Sequence, residues 1–262
     1  MLILSNRSIL ELLMPAVFVH GNPETSAIWD LLIPALDRRD VVTLSPPGFG
    51  SIPPSGFGAT RLDYVDWLVA ELEAIGEPVD LVGHDWGGGH VTGVALTRPD
   101  LLRSWTIDVA GIFHADYKWH DMAQEWQKPD VGEATVAGMI DSPLADLVAM
   151  LVDGGMTTDI ATKVAAAFNQ DMARCILALY RNAAQPVLSD LGADVAVMRQ
   201  RPGLVIIAEL DTYVGAAPMH REVASRAGAE VSVLKGVGHW WMIQDPVASA
   251  AVLNQFWASI KT

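Results

Sequence analysis

The sequence predicts an α/β fold, a mostly parallel, doubly wound sheet with a helical segment inserted between two of its strands. Three observations carry this. Short runs rich in Val and Ile recur without strict polar alternation, as strands covered on both faces require. Segments of helical period separate those runs, which is the rhythm of strand–helix–strand units. The rhythm then breaks between about residue 114 and residue 190, in a stretch of helical composition without a good strand, and resumes afterwards.

Taken in order, the first predicted strand is "AVFVH" at 16–20. The apolar stretch that leads into it, "ILELLMPAVFV", lacks the basic start of a secretory leader and runs directly into "HGNP", so it reads as buried strand. "VVTLS" at 41–45 is the second strand. "TRLDYVDWLVAELEAIG" is a helix with apolar residues at 62, 65, 68, 69, 72 and 75, a Thr60-to-Asp63 start signal and Gly76 just past its end. "VDLVGH" at 79–84 and "SWTIDVA" at 104–110 follow as strands. The segment 114–186, containing "DYKWHDMAQEW" and "DMARCILALYRNA", is expected to lie over the strand ends as a lid on a core made of 1–113 and 187–262. "LVIIAE" at 204–209 and "EVSVLKG" at 230–236 are the last strands. "DPVASAAVLNQFWASI" closes the chain as a helix capped by Asp245 and Pro246, with Val252, Phe256 and Ile260 on its apolar face.

Composition narrows the function. A net charge of −14 argues against nucleic acid and anionic lipid as partners, which basic clusters meet. Cys175 is the only cysteine, so no internal disulfide forms and no Cys/His cluster has zinc spacing; a reducing, cytoplasmic setting is expected. No apolar run approaches the roughly 20 residues of a membrane-spanning helix.

The chemistry centres on "GHDWGG" at 83–88. A Gly-flanked turn from strand to helix usually presents a serine, and here it presents Asp85. Alkylating a serine would leave an ether, a dead end. A carboxylate that attacks saturated carbon forms an ester, whose carbonyl water can then attack. Asp85 needs no base to activate it, since a free aspartate ionises near pH 4 (about 3.9). The base is needed for water in the second step, and His239 on its Gly-flanked loop is the candidate, oriented by Asp211. Asp108, after the fourth predicted strand, is the alternative acid.

Together "HGNPETSAIW", "PPGFG", "GHDWGG", "ELDTYVG" and "GHWW" resemble the α/β-hydrolase fold, and within it the branch shared by epoxide hydrolases and haloalkane dehalogenases. The resemblance covers nearly the whole chain. It implies an oxyanion hole from the backbone N–H groups of Asn22 and Trp86. "LALYRNA" resembles the lid motif of epoxide hydrolases, which makes Tyr180 the proton donor to an opened epoxide. Tyr117, His114 and His120 are the nearest candidates for a second donor. For a dehalogenase, the same resemblance assigns the halide to the side chains of Asn22 and Trp86. His20 is expected to anchor the oxyanion turn, His84 to be a packing neighbour, and "PPGFG" to buttress the site. Trp119, Met122, Trp126, Met139, Met150 and Phe168 belong to the expected lid, half of them packing it and the rest lining an apolar pocket. The reading is an epoxide hydrolase taking a small hydrophobic substrate and water, with no metal or organic cofactor. The alternatives are a haloalkane dehalogenase and, behind it, a ligand-binding protein without turnover.

Overall fold

In a computed structural model that describes residues 14–260, six strands pair in one sheet. They are β1 (Ala16–Val19), β2 (Val41–Leu44), β3 (Val79–Gly83), β4 (Leu102–Ile107), β5 (Gly203–Ala208) and β6 (Glu230–Leu234). Their order is β2-β1-β3-β4-β5-β6, and every pairing is parallel. The predicted strands are recovered, each ending one to three residues before its apolar run does, and β4 and β5 also begin earlier than predicted. His20 and His84 fall just past the carboxyl ends of β1 and β3, and Asp108 just past β4. Residues 9–13 of the run read as buried strand lie outside the described residues, and β1 itself begins at Ala16.

The sheet is wound on both faces. Val17 and Val19 of β1 join one apolar core with Leu81, Trp105 and Val205, whereas Ala16 and Phe18 join another with Val82, Leu204 and Ile206. Alternate side chains of a strand point to opposite faces, so central strands with helices on both sides must be apolar throughout. The edge strands β2 and β6 are only partly buried.

Helix α1 (Arg61–Ile75) starts and stops where the sequence signals it. Thr60 and Asp63 form a capping box, and Gly76 closes the helix at φ +83°. Its buried face is Tyr64, Val65, Leu68 and Leu72, and Leu62, expected inside, is exposed. Helix α2 (Trp86–Thr97) is buried from Trp86 through Ala95. Between β4 and β5 come α3 (Asp121–Gln127), α4 (Val131–Asp141), α5 (Leu144–Asp153), α6 (Thr158–Ala166), α7 (Gln170–Asn182) and α8 (Val187–Ala193). They are followed by α9 (Ala217–Ala227), α10 (Trp241–Gln244) and α11 (Pro246–Ser259). On α11 the deep positions are Ala250, Leu253, Phe256 and Trp257, while Val252 and Ile260 are only half-buried. Among the described residues no single helix is long and apolar enough to cross a membrane, and the apolar pair α4 and α5 is bent by 108°.

At the amino end of β3, the fully buried Asp80 gathers the sheet's main ionic cluster. Its carboxylate accepts from Arg38 Nη1 at 2.7 Å, from Arg103 Nε at 2.8 Å and from Ser104 Oγ at 2.5 Å. Removing one partner of such a buried set leaves the others uncompensated, at a cost of about 3 kcal/mol. An Asp80→Ala variant is therefore expected to lose about that much stability in urea unfolding, with the site at the opposite end of the strand unchanged in geometry. A loss below about 1 kcal/mol would contradict the assignment.

Candidate active site

The turn between β3 and α2 holds Asp85 at φ +48°, ψ −128°, a left-handed conformation that costs a non-glycine residue on the order of 1–3 kcal/mol. Close packing enforces it. A Cβ on Gly87 would come within 2.1 Å of the Val19 carbonyl oxygen, so only glycine lets the start of α2 press against the end of β1. The turn after β1 approaches from the other side: a Cβ on Gly21 would lie 2.1 Å from Asp85 Oδ1. The next residue, Asn22, donates its backbone N–H to that oxygen at 3.0 Å. Trp86 opens α2, and first-turn N–H groups have no partner within their own helix.

The loop after β6 brings in His239, and the loop after β5 brings in Asp211. His239 Nδ1 lies 2.8 Å from Asp211 Oδ2, and the Tyr213 N–H donates to Asp211 Oδ1 at 2.8 Å. On its far side, His239 Nε2 stands 3.8 Å from Asp85 Oδ2. Asp85, His239 and Asp211 thus lie in line. Asp108, the alternative acid, is not at His239. It accepts from His84 Nδ1 at 2.5 Å, from Trp241 Nε1 at 2.6 Å and from the Asp85 N–H at 3.1 Å.

His84 is more than the packing neighbour expected of it. Fully buried, it is held by Asp108 at Nδ1 and by Glu24 Oε1 at Nε2, 3.1 Å away. Burial alone pulls an imidazole toward neutrality, yet the charges of Glu24 and Asp108 outweigh it and raise the His84 pKa well above the usual 6.5. Burial likewise pushes the Glu24 carboxyl up, but the His84 charge overcomes this and sets it at about 2. Glu24 also accepts the Gly21 N–H at 3.0 Å and the Trp240 indole N–H at 2.5 Å. The two indoles that follow His239 therefore each bond one of the two acids flanking His84. Sequence reasoning missed Glu24, Trp240 and Trp241. Adjacency to "HGNP" and to the histidine was the only signal.

Burial raises Asp85 itself to about 6; the charge of His239 pulls it down, and Glu24 pushes it up. The residue is thus largely ionised at neutral pH, with a smaller margin than a free aspartate has. Desolvation lowers the His239 pKa, but Asp211 more than compensates and the net shift is upward. Glu24, His84 and His239 offer ligand atoms within 4.8 Å of one another. Both nitrogens of His84 and both oxygens of Glu24 are already engaged, so the group offers no open set of ligand atoms to a cation.

Above Asp85 lies a cavity of about 130 Å³ between the strand ends and the inserted helices. Asn22, His239 and Tyr180 line it, with Met122, Trp126, Met139 and Met150 from the expected lid. Trp119 stacks on Trp86 at 5.7 Å and lines a smaller neighbouring cavity with Asp85. Tyr180, on α7, is 2% exposed and has no hydrogen-bond partner among the described residues. The Trp86 indole lies beside its hydroxyl without reaching hydrogen-bond geometry. Burial, and then the charge of Asp85, raise the Tyr180 pKa well above 10, which keeps the phenol protonated.

The remaining candidates separate. Tyr117 borders the smaller cavity, but its hydroxyl donates to the Tyr213 carbonyl at 2.7 Å. His114 pairs with Glu222 at 3.2 Å and lines neither cavity. His120 lines both; its Nδ1 accepts the Ala123 N–H at 3.3 Å, and burial with the nearby His239 charge lowers its pKa to about 4. A neutral ring whose Nδ1 accepts carries its proton on Nε2. Asn22 Nδ2 and Trp86 Nε1 are buried without any partner. His20 anchors the turn as expected, through the Gly21 carbonyl at 2.9 Å and Ser45 Oγ at 3.1 Å. "PPGFG" runs beside that turn, where a Cβ on Gly50 would lie 3.3 Å from Thr25 Cβ, and its Pro47 carbonyl accepts from the Tyr64 hydroxyl at 2.9 Å.

Residues 16–252 match the alpha/beta hydrolase family. Among curated proteins, the chain is 32% identical over 95 residues to an (E)-2-((N-methylformamido)methylene)succinate hydrolase of Acinetobacter baylyi, covering 36% of each. It is 32% identical over 104 residues to an epoxide hydrolase of Caballeronia sordidicola, covering 34% of this chain and 29% of that one. The match thus spans about a third of these relatives' length. A haloalkane dehalogenase from Bradyrhizobium elkani shares the fold at a TM-score of 0.73 and 20% identity, over 94% of this chain and 90% of that one.

The buried ionic set has a definite pH signature. Glu24 is lowered in the fold, from 4.5 to about 2, so its contribution to stability is complete above about 4.5 and is lost as pH falls toward 2. His84 is raised, so its contribution is complete below about 6.5 and is lost only as pH climbs through its elevated folded value. His84→Gln is expected to cost about 3 kcal/mol in urea unfolding at pH 6. The gap between wild type and variant should narrow as pH is lowered from 4.5 toward 2. A gap that stays constant over that interval would show that the imidazolium and its acids do not act as an ion pair.

Proposed function

The chain belongs to the alpha/beta hydrolase family, and from that membership we propose that it is a hydrolase that opens epoxides to vicinal diols through an ester on Asp85. The observation that carries this reading is Tyr180, a protonated phenol with no hydrogen-bond partner among the described residues, facing the same cavity as an aspartate held at the turn before α2. Asp85 Oδ2 attacks a ring carbon while the carbon–oxygen bond breaks. Tyr180 gives its proton to the departing alkoxide, and the Nε2–H of His120 supplies a second hydrogen bond. An alkoxide needs such a donor because it is far more basic than a halide.

Ester formation removes the charge of Asp85, one of the charges that raise the His239 pKa. The imidazole becomes a better base at the moment it is needed. It takes a proton from water, and the resulting hydroxide adds to the Asp85 carbonyl carbon. The oxyanion develops on Oδ1, where the Asn22 N–H already points and the Trp86 N–H completes the pair. Collapse breaks the bond from the Asp85 carbon to Oδ2, the departing oxygen takes the remaining proton of the added water to complete the diol, and the proton on His239 returns to the Tyr180 oxygen. Asp211 holds the ring orientation throughout.

A second reading has its own support. Asn22 Nδ2 and Trp86 Nε1 are buried donors without partners, and a departing halide would satisfy both. Intact-protein mass spectrometry of His239→Gln separates the two. Stalled at the ester, the protein is expected to gain the whole mass of a terminal epoxide; adducts formed only with a primary bromoalkane, gaining the alkyl group alone, would overturn the epoxide reading. Tyr180→Phe should slow epoxide opening by about 10² and leave bromide release nearly unchanged.

The acid limb supplies a further check. With Asp85 at about 6, kcat/KM of the wild-type enzyme should fall tenfold per unit below about pH 6, whereas a free aspartate would keep it level to pH 4 (about 3.9). A profile flat to pH 4.5 would contradict the burial of the attacking carboxylate.

A further inference from the structure

The His239 ring has one hydrogen-bonded anchor, Asp211 at Nδ1, and its Nε2 faces Asp85. Where that nitrogen stands is therefore set by the loop between β6 and α10. Two main-chain bonds tie the start of this loop to the turn after β5: the Gly236 N–H donates to Glu209 Oε2 at 2.9 Å, and the Val237 carbonyl accepts the Leu210 N–H at 2.9 Å. The last main-chain donor before the histidine, the Gly238 N–H, goes elsewhere. It donates to Gln244 Oε1 at 2.6 Å. Gln244 ends α10, where its own N–H donates to the Trp240 carbonyl at 3.0 Å, so its side chain reaches back and closes a ring around His239 and Trp240. The inserted helices press on the same place. A Cβ on Gly155 would lie 2.1 Å from Gln244 Nε2, and one on Gly154 would lie 2.5 Å from the Trp240 ring, so the glycine pair that follows α5 leaves room for both side chains. Gln244 does not itself line the cavity over Asp85.

From this arrangement we propose that Gln244 is a positioning residue for the hydrolytic half of the cycle: it sets where His239 Nε2 stands, and so governs loss of the ester while leaving its formation alone. The inference rests on the reading in which Asp85 carries the ester and His239 activates water. Attack by water needs three partners in line, the imidazole nitrogen, the water and the Asp85 carbonyl carbon. A displacement of the base on the order of 1 Å can cost about 10² in that step. Ester formation makes no such demand on His239. Asp85 is placed by other contacts, its N–H on Asp108 and its Oδ1 on the Asn22 N–H, and none of these involves Gln244. An oxygen acceptor at position 244 is what the Gly238 N–H requires, so Glu can replace Gln there and Leu cannot.

Separating the two half-reactions tests this. Wild type, Gln244→Leu and Gln244→Glu are mixed rapidly with whichever of a terminal epoxide and a primary bromoalkane modifies the protein, then quenched and weighed intact. The burst gives the rate of ester formation, and the steady state gives the rate of its loss. Gln244→Leu is expected to slow ester loss by about tenfold, so that the ester accumulates with His239 in place, while ester formation stays within about twofold of wild type. Gln244→Glu should restore ester loss. Equal slowing of both steps, unchanged ester loss in Gln244→Leu, or a Glu variant as slow as the Leu variant overturns the proposal. Amide hydrogen exchange of residues 235–240 in the free protein gives a reading that needs no chemistry: exchange should quicken in Gln244→Leu and return to the wild-type rate in Gln244→Glu. If neither compound modifies any of the three proteins, the role given to Asp85 fails. Exchange then decides the brace on its own, and a rate unchanged in Gln244→Leu overturns it.

Discussion

The site is held together by one buried ion set, an imidazolium at His84 clamped between Glu24 and Asp108. Its three members come from the turns after β1, β3 and β4, the three adjacent strands at the centre of the sheet. Each acid also takes a main-chain N–H close to the reaction: Glu24 that of Gly21, and Asp108 that of Asp85. The Trp240 and Trp241 indoles add the loop that carries His239. Charged groups in such a dry place are costly unless donors and acceptors are used, and here the carboxylate oxygens meet N–H donors from three separate segments, the turns after β1 and β3 and the loop that carries His239. The geometry of the turn after β1, of Asp85 and of the loop that carries His239 therefore stands or falls together.

That clamp also lets the protein maintain a strained turn. Asp85 sits at positive φ, with Gly87 and Gly21 as the residues whose missing side chains allow β1, α2 and the oxyanion turn to close on it. In return the carboxylate points away from the sheet into the cavity, with one oxygen on the Asn22 N–H and the other facing His239. The two oxygens are thus differentiated before any substrate arrives.

In the proposed displacement-and-hydrolysis cycle, charge is arranged so that the two halves help each other. While Asp85 is ionised, its charge favours a protonated His239; once it is esterified, that charge is gone and the base is released. The fixed imidazolium of His84, whose ring centroid lies 4.6 Å from that of His239, acts in the same direction by disfavouring a second cation nearby. The tyrosine on α7 is kept protonated in the resting protein by burial and, after that, by the same carboxylate.

Local patterns were sufficient for much of this. The Val- and Ile-rich runs, the capping box at Thr60 and the glycines around Asp85 each depend on neighbours in sequence, so strands, helix ends and the turn before α2 could be read directly. The strand-end positions of Asp85, Asp108, Asp211 and His239 were equally legible, because each follows a recognisable strand. What tertiary structure alone decided were pairings between distant loops. Asp108 and Asp211 are indistinguishable as acids after strands until the sheet order places one beside His84 and the other beside His239. Glu24 reads as an ordinary loop acid, yet it is buried under Trp240. Likewise, His120 differs from His114 only in which face of the inserted segment meets the cavity. Residue identity and spacing determine local conformation through short-range sterics and hydrogen bonding. Which charges neutralise one another is set by the packing of segments far apart in the chain, and no spacing rule encodes that.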